Sequence, residues 1–164
     1  MLETFAVAFA TFFATIGPFD VAAVFAGLTA SVPNNRRRQM AVRGTAIAAG
    51  ILVLFALIGE LLLSGLGISL AALRTAGGVL LLLMGIDMVF ARNSGGTSTT
   101  DAEEEEARAK QDISVFPLAT PLIAGPGAMG AAILIMADTE GDLVLKAIVI
   151  GSILLVLFAT LVML

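Results

Sequence analysis

The chain has no cysteine, no histidine, no tryptophan and no tyrosine among its 164 residues. Without cysteine there is no disulfide and no thiol nucleophile, and without cysteine or histidine the usual zinc-ligand sets cannot be assembled. Imidazole acid–base catalysis is excluded with them, so no metal, no cofactor and no enzymatic activity are expected. Tryptophan and tyrosine customarily mark the membrane–water boundary; here only Phe, Arg and Lys can mark it. Charge is scarce as well, at 13% of residues against about a quarter in a soluble domain. With 59% hydrophobic residues, a water-exposed surface cannot be built, and the lipid bilayer is the expected surroundings.

The few charges are unevenly placed. Six of the thirteen acids and three of the nine bases fall between Arg92 and Asp112, so the acids are concentrated in one loop rather than spread over a binding face, and the net charge of -4 says little about partners. No basic groove for nucleic acid is present. The uncharged runs elsewhere are long enough for membrane helices, which need about 20 mostly apolar residues. Five segments qualify: Phe5 to Ala30, Gly44 to Leu63, Leu70 to Ala91, Ile113 to Ala137, and Leu143 to Leu164. The first begins Met-Leu-Glu-Thr with no basic residue, and its apolar stretch exceeds that of a signal peptide, so it is expected to remain in the mature protein.

Short loops rich in Lys and Arg favour the cytoplasm. The first connection holds Arg36, Arg37, Arg38 and Arg43, and the third holds Arg92, Arg108 and Lys110; the second and fourth offer only Arg74 and Lys146 at span edges. Loops one and three are therefore expected inside, with the N-terminus outside the cytoplasm and Leu164 inside. The third loop runs from a small-polar linker into an acidic stretch, where Glu104 with Arg108 and Glu106 with Lys110 have the spacing of a short solvated helix.

Two spans carry a Gly-Pro pair near their middle: Gly17-Pro18 in the first, and Gly125-Pro126 in the fourth, where Pro117 and Pro121 already disturb the helix. Proline removes a backbone donor and clashes with the preceding turn. In lipid the freed backbone groups must find protein partners or line a wet cavity. The two pairs are three spans apart, so the second copy would enter the membrane in the opposite sense, as in the inverted repeats of secondary transporters. Each proline would open a half-helix whose unpaired N–H groups carry partial positive charge into the membrane and attract a carboxylate. The plainer reading is a pair of kinked helices in a compact bundle.

Asp20 falls at the third position of the first half-helix, and an acid at that depth is a functional candidate. It could bind an ammonium group, carry a coupling proton, or cap its own half-helix. Glu60 and Asp87 sit near span ends, from where a side chain reaches the headgroups. Thr11, Thr15 and Thr120 could line a polar site or bond their own backbone. Small residues at Ala22, Ala26, Ala30, Gly44, Ala48, Gly78 and Gly85 are spaced for close helix packing.

With these motifs in view the chain resembles the MarC family of integral membrane proteins, also described as a neutral amino acid transporter family. The likeness is carried by Ile16-Gly17-Pro18, Leu28-Thr29 and the Arg36 to Arg38 cluster, by Thr75 to Leu81, and above all by the proline-rich run from Asp112 to Gly127. The resemblance implies an all-α, polytopic transmembrane bundle in a bacterial inner membrane that exports small neutral amino acids. It also implies a sixth span. On that view the chain is an incomplete inverted 3+3 repeat: residues 1–91 form the first three-helix repeat, 92–112 a cytoplasmic acidic loop, and 113–164 a second repeat of two helices. Either the chain is a fragment, or a homo-oligomer supplies the missing surface. Asp20 stands where the family pattern is more usually uncharged.

The expected site has Gly125, Pro126 and Gly127 binding the carboxylate of a zwitterion, Gly17 and Pro18 shaping the opposing wall, Asp20 taking its ammonium or a proton, and Thr15 and Thr120 as secondary contacts. The rival expectation is a non-transporting membrane subunit or scaffold.

Overall fold

A computed structural model describes residues 1–90 and 112–164. The acidic loop, with its expected helix through Glu104 and Lys110, lies outside them. The elements are α1 (Leu2–Ile16), α2 (Pro18–Leu28), α3 (Asn34–Gly65), α4 (Leu70–Val89), a proline-broken segment (Ser114–Ile123), α5 (Pro126–Ala137) and α6 (Leu143–Met163). Among the described residues four helical stretches are long and apolar enough to cross a membrane, or five if the bent pair of broken segment and α5 is one span. The five apolar runs of the sequence coincide with these stretches.

Helix ends follow local chemistry. Gly17 has φ of +61° and donates its N–H to the Phe13 carbonyl at 3.1 Å, a left-handed cap that stops α1. Pro18 then opens α2, where its missing N–H costs nothing. The Ser69 hydroxyl accepts from the Ala72 amide at 3.1 Å at the start of α4. Asp142 caps α6, its carboxylate accepting from Val144 N–H at 2.7 Å and Leu145 N–H at 3.2 Å. The arginine cluster, read from sequence as loop, lies inside the first turns of α3, which begins ten residues ahead of the apolar run.

Ser114–Ile123 is not a regular helix. Phe116 and Thr120, each ahead of a proline, are extended at φ/ψ of -128°/127° and -135°/129°, the region to which a following proline confines its neighbour. Hydrogen bonds there span five residues, from Leu118 N–H to the Ile113 carbonyl at 3.1 Å and from Ala124 N–H to the Ala119 carbonyl at 2.9 Å. Both X-Pro bonds, Phe116-Pro117 and Thr120-Pro121, are cis.

The long α3 is the central column. It packs against the broken segment, α5 and α6; α1 packs on α5 and α6, α2 on α6 and the broken segment, and α4 on α5. The core joins Phe12, Ile16, Val21, Phe25, Leu52, Leu118, Ile123, Ile153 and Val156. Close approach is set by two glycines of α3. A Cβ at Gly44 would lie 2.9 Å from the Ser114 carbonyl oxygen, and one at Gly59 would collide with Ile133. Gly78 and Gly85, expected to serve the same purpose, have nothing within 4 Å. No described side chain of α4 is buried, which suits a helix facing lipid.

Candidate functional site

Both Gly-Pro pairs separate two helical pieces, but their geometries differ. Leu2–Leu28 still runs as one span through Gly17, whereas the second pair of pieces meets at 56°. Phe13 and Phe19 bridge the first break edge to face, with centroids 5.9 Å apart. At the second, Gly125 is extended at φ/ψ of -81°/170°, and a Cβ there would stand 2.8 Å from the Pro121 carbonyl oxygen. Glycine is required at Gly17 by backbone sign and at Gly125 by space.

With 12 residues, α5 is about 18 Å long, roughly half the ~30 Å hydrocarbon thickness, so it is a half-helix. Gly127 and Ala128 at its start are buried, and neither amide has a hydrogen-bond acceptor among the described residues. Free N–H groups at a helix N-terminus can accept an anionic group such as a carboxylate.

The remaining expected site residues divide. Thr15 and Pro18 are buried, Gly17 and Thr120 half-buried, and Asp20 and Pro126 exposed. Asp20 folds back over Gly17, where its Oδ2 would lie 3.2 Å from an added Cβ, and it has no ion-pair partner among the described residues. Thr15 donates to the Thr11 carbonyl at 2.8 Å, and Thr120 to the Val115 carbonyl at 3.3 Å, so both hydroxyls are engaged by their own backbone. Around these residues α1 packs on α5, and α2 on the broken segment.

One polar residue escaped the sequence reading. Thr45, on α3 beside Gly44, is 6% exposed, and its hydroxyl is the one buried side-chain polar atom among the described residues without a partner. Most buried hydroxyls are paired, so this one is free for a solute or water. Nothing in its sequence neighbourhood sets it apart from other helical threonines.

At one end of the bundle Arg43 meets Asp112 at 3.0 Å. The other carboxylate oxygen of Asp112 accepts from the Ser114 amide at 2.9 Å and from the Ser114 hydroxyl. The two Ser114 bonds, followed by the Arg43 charge, hold the Asp112 carboxyl below its ordinary value. Arg37, at the same end, lies 5.5 Å over the Phe25 ring and donates to the Leu164 carbonyl at 3.2 Å. The start of α3 and the end of α6 therefore share one face of the bundle. Among the described residues no cluster of three or more acidic side chains could hold a metal ion.

Comparison with known proteins gives a consistent picture. A family model described as the MarC family of integral membrane proteins matches residues 2–164. The chain is 42% identical over 159 residues to a UPF0056 membrane protein of Methanocaldococcus jannaschii, covering 97% of this chain and 76% of that one. It is 32% identical over 149 residues to a UPF0056 membrane protein of Pyrococcus abyssi, covering 91% and 72%. It is 31% identical over 143 residues to the UPF0056 membrane protein YvbG of Bacillus subtilis, covering 87% and 68%. The relatives thus include archaeal and bacterial proteins. No solved structure matches.

Proposed function

The chain belongs to the MarC family of integral membrane proteins, and from that premise we propose that it is a secondary transporter moving small neutral amino acids outward by alternating access. It sits in this reading in the plasma membrane with its N-terminus outside. The observation that carries the reading is the pair of unpartnered, buried amides of Gly127 and Ala128 at the start of a half-helix. That is the arrangement by which broken transporter helices receive an anionic group at the midplane.

The packing supports an inverted repeat. Exchanging α1 with the broken segment, α2 with α5 and α3 with α6 converts the contact of α1 with α5 into that of the broken segment with α2. It likewise converts α3 on the broken segment into α6 on α1, and α3 on α5 into α6 on α2. Each of these contacts is present. Two interlocked halves with one arrangement of partners are what a rocking mechanism requires.

In the proposed cycle Gly125, Pro126 and Gly127 form the carboxylate cradle, and Gly17 and Pro18 shape the opposing wall. Asp20 receives the ammonium or a coupling proton; Thr15 and Thr120 contribute backbone-bound hydroxyls. No covalent step is involved. The test is flux of labelled threonine, alanine and glycine into proteoliposomes under a pH gradient. Flux above that of empty liposomes, lowered at least tenfold in Asp20→Asn, is expected. Flux unchanged in that variant removes the role of Asp20, and no flux from folded protein favours the scaffold reading.

A further inference from the structure

Two ion pairs are present among the described residues, and each joins the first half of the chain to the second. Arg43 on α3 pairs with Asp112, just ahead of the broken segment, and Arg74 on α4 pairs with Asp138, which closes α5. Neither pair ties two elements of the same half. They also lie at opposite ends of the bundle. Arg43 is near the end where α3 begins, whereas Arg74 follows the turn where α3 finishes at Gly65. The stretch of α3 from Arg43 to Gly65 rises about 33 Å, close to the ~30 Å hydrocarbon thickness.

The side chains are 64% and 48% exposed in the first pair, 55% and 59% in the second. Exposed pairs of this kind are weak. A weak tie would be a poor permanent clamp, but it can open and re-form. The Arg43–Asp112 pair is also coupled to the element that would move, because Asp112 holds the start of the broken segment through Ser114, itself 1% exposed. Beside it lies a polar cavity of about 240 Å³ lined by Arg36, Gln39, Met40, Arg43, Asp112 and Ser114, smaller than the roughly 300–1,000 Å³ of drug-sized ligand pockets. It gives the proposed path a mouth on that face.

We propose that the Arg43–Asp112 and Arg74–Asp138 pairs are the two gates of the transport path, one at each membrane face, released in turn as the halves rock against one another. This rests on the transport reading. Alternating access forbids a path open to both faces at once, so ties between the halves at both ends must break alternately. Both pairs are formed in the present structure.

The chain has no native cysteine, so nitroxide labels can be placed on single cysteine pairs that leave the ion pairs intact. Val42→Cys with Val115→Cys reports one face, and Ala72→Cys with Glu140→Cys the other, by pulsed electron spin resonance on the full chain in liposomes. Each label pair is expected to show a short and a long distance. Arg43→Gln should enlarge the long component at the 42–115 face about threefold, the weight of one exposed ion pair, and enlarge the short component at the 72–140 face. Arg43→Lys, which keeps the charge and leaves Asp112 bonded to Ser114, should retain the starting balance. A single short distance at both faces, or Arg43→Gln distributions matching the parent, overturns the gates. Alanine flux measured on the same liposomes reports on the transport reading separately, so the two failures are distinguishable.

Discussion

A Cβ at Gly125 would stand 2.8 Å from the Pro121 carbonyl oxygen, and one at Gly17 would sit on a backbone with φ of +61°. Gly125→Ala should therefore cost about 1–3 kcal/mol as overpacking, and Gly17→Ala about 1–2 kcal/mol as left-handed strain. Gly50 lies inside α3 with nothing within 4 Å; Gly50→Ala should stabilise by about 0.5–1 kcal/mol. Thermal unfolding in detergent separates Gly50→Ala from the other two by sign. Asp112 adds a pH signature. Its folded carboxyl titrates below the ordinary 3.8, so its charge stabilises the fold above that pH, and the contribution is lost as pH falls through the folded value. Asp112→Asn should be less stable than the parent at neutral pH by up to about 1 kcal/mol, and the difference should vanish toward strong acid in a pH series of unfolding temperatures. Thr45, Asp112 and Asp138 could not be singled out from sequence, because what distinguishes them is the partner each has or lacks across the bundle.

At the scale of elements, the apolar runs were readable, as was the start of a helical piece at each of Pro18 and Pro126, since span length and the missing proline donor act locally. The start of α3 at Asn34 was not, because polar and basic residues continue a helix beyond the hydrocarbon at little cost. Nor was the difference between the breaks: Gly17 allows one continuous span, while Pro117, Pro121 and Gly125 together produce a 56° bend. The cap of α6 offers a check at one helix end. Asp142 accepts from two amides of the first turn, so Asp142→Ala should lower stability by about 1 kcal/mol, measured by thermal unfolding against Asp142→Asn, which retains an acceptor and most of the stability. Gly59→Leu should do more, because it drives α3 away from Ile133 and so from α5.

For the whole molecule, the order of apolar runs implied a multi-pass helical protein, and the spacing of the Gly-Pro pairs implied opposite insertion of two similar halves. The mutual exchange of packing partners between those halves, and the ion pairs between residues 69 and 64 positions apart, belong to tertiary structure and left no mark on any single stretch of sequence. On the proposed transport reading, these ties and the amides at the start of α5 would serve alternation between the two halves. The proposed carriage of a small zwitterion by alternating access is read out by tracer counterflow. Liposomes holding the purified protein and preloaded with unlabelled alanine are diluted into a trace of labelled alanine. The account predicts a transient accumulation of label above the external concentration, abolished in Gly125→Leu. Equilibration without overshoot, or uptake equal to that of protein-free liposomes, would contradict it.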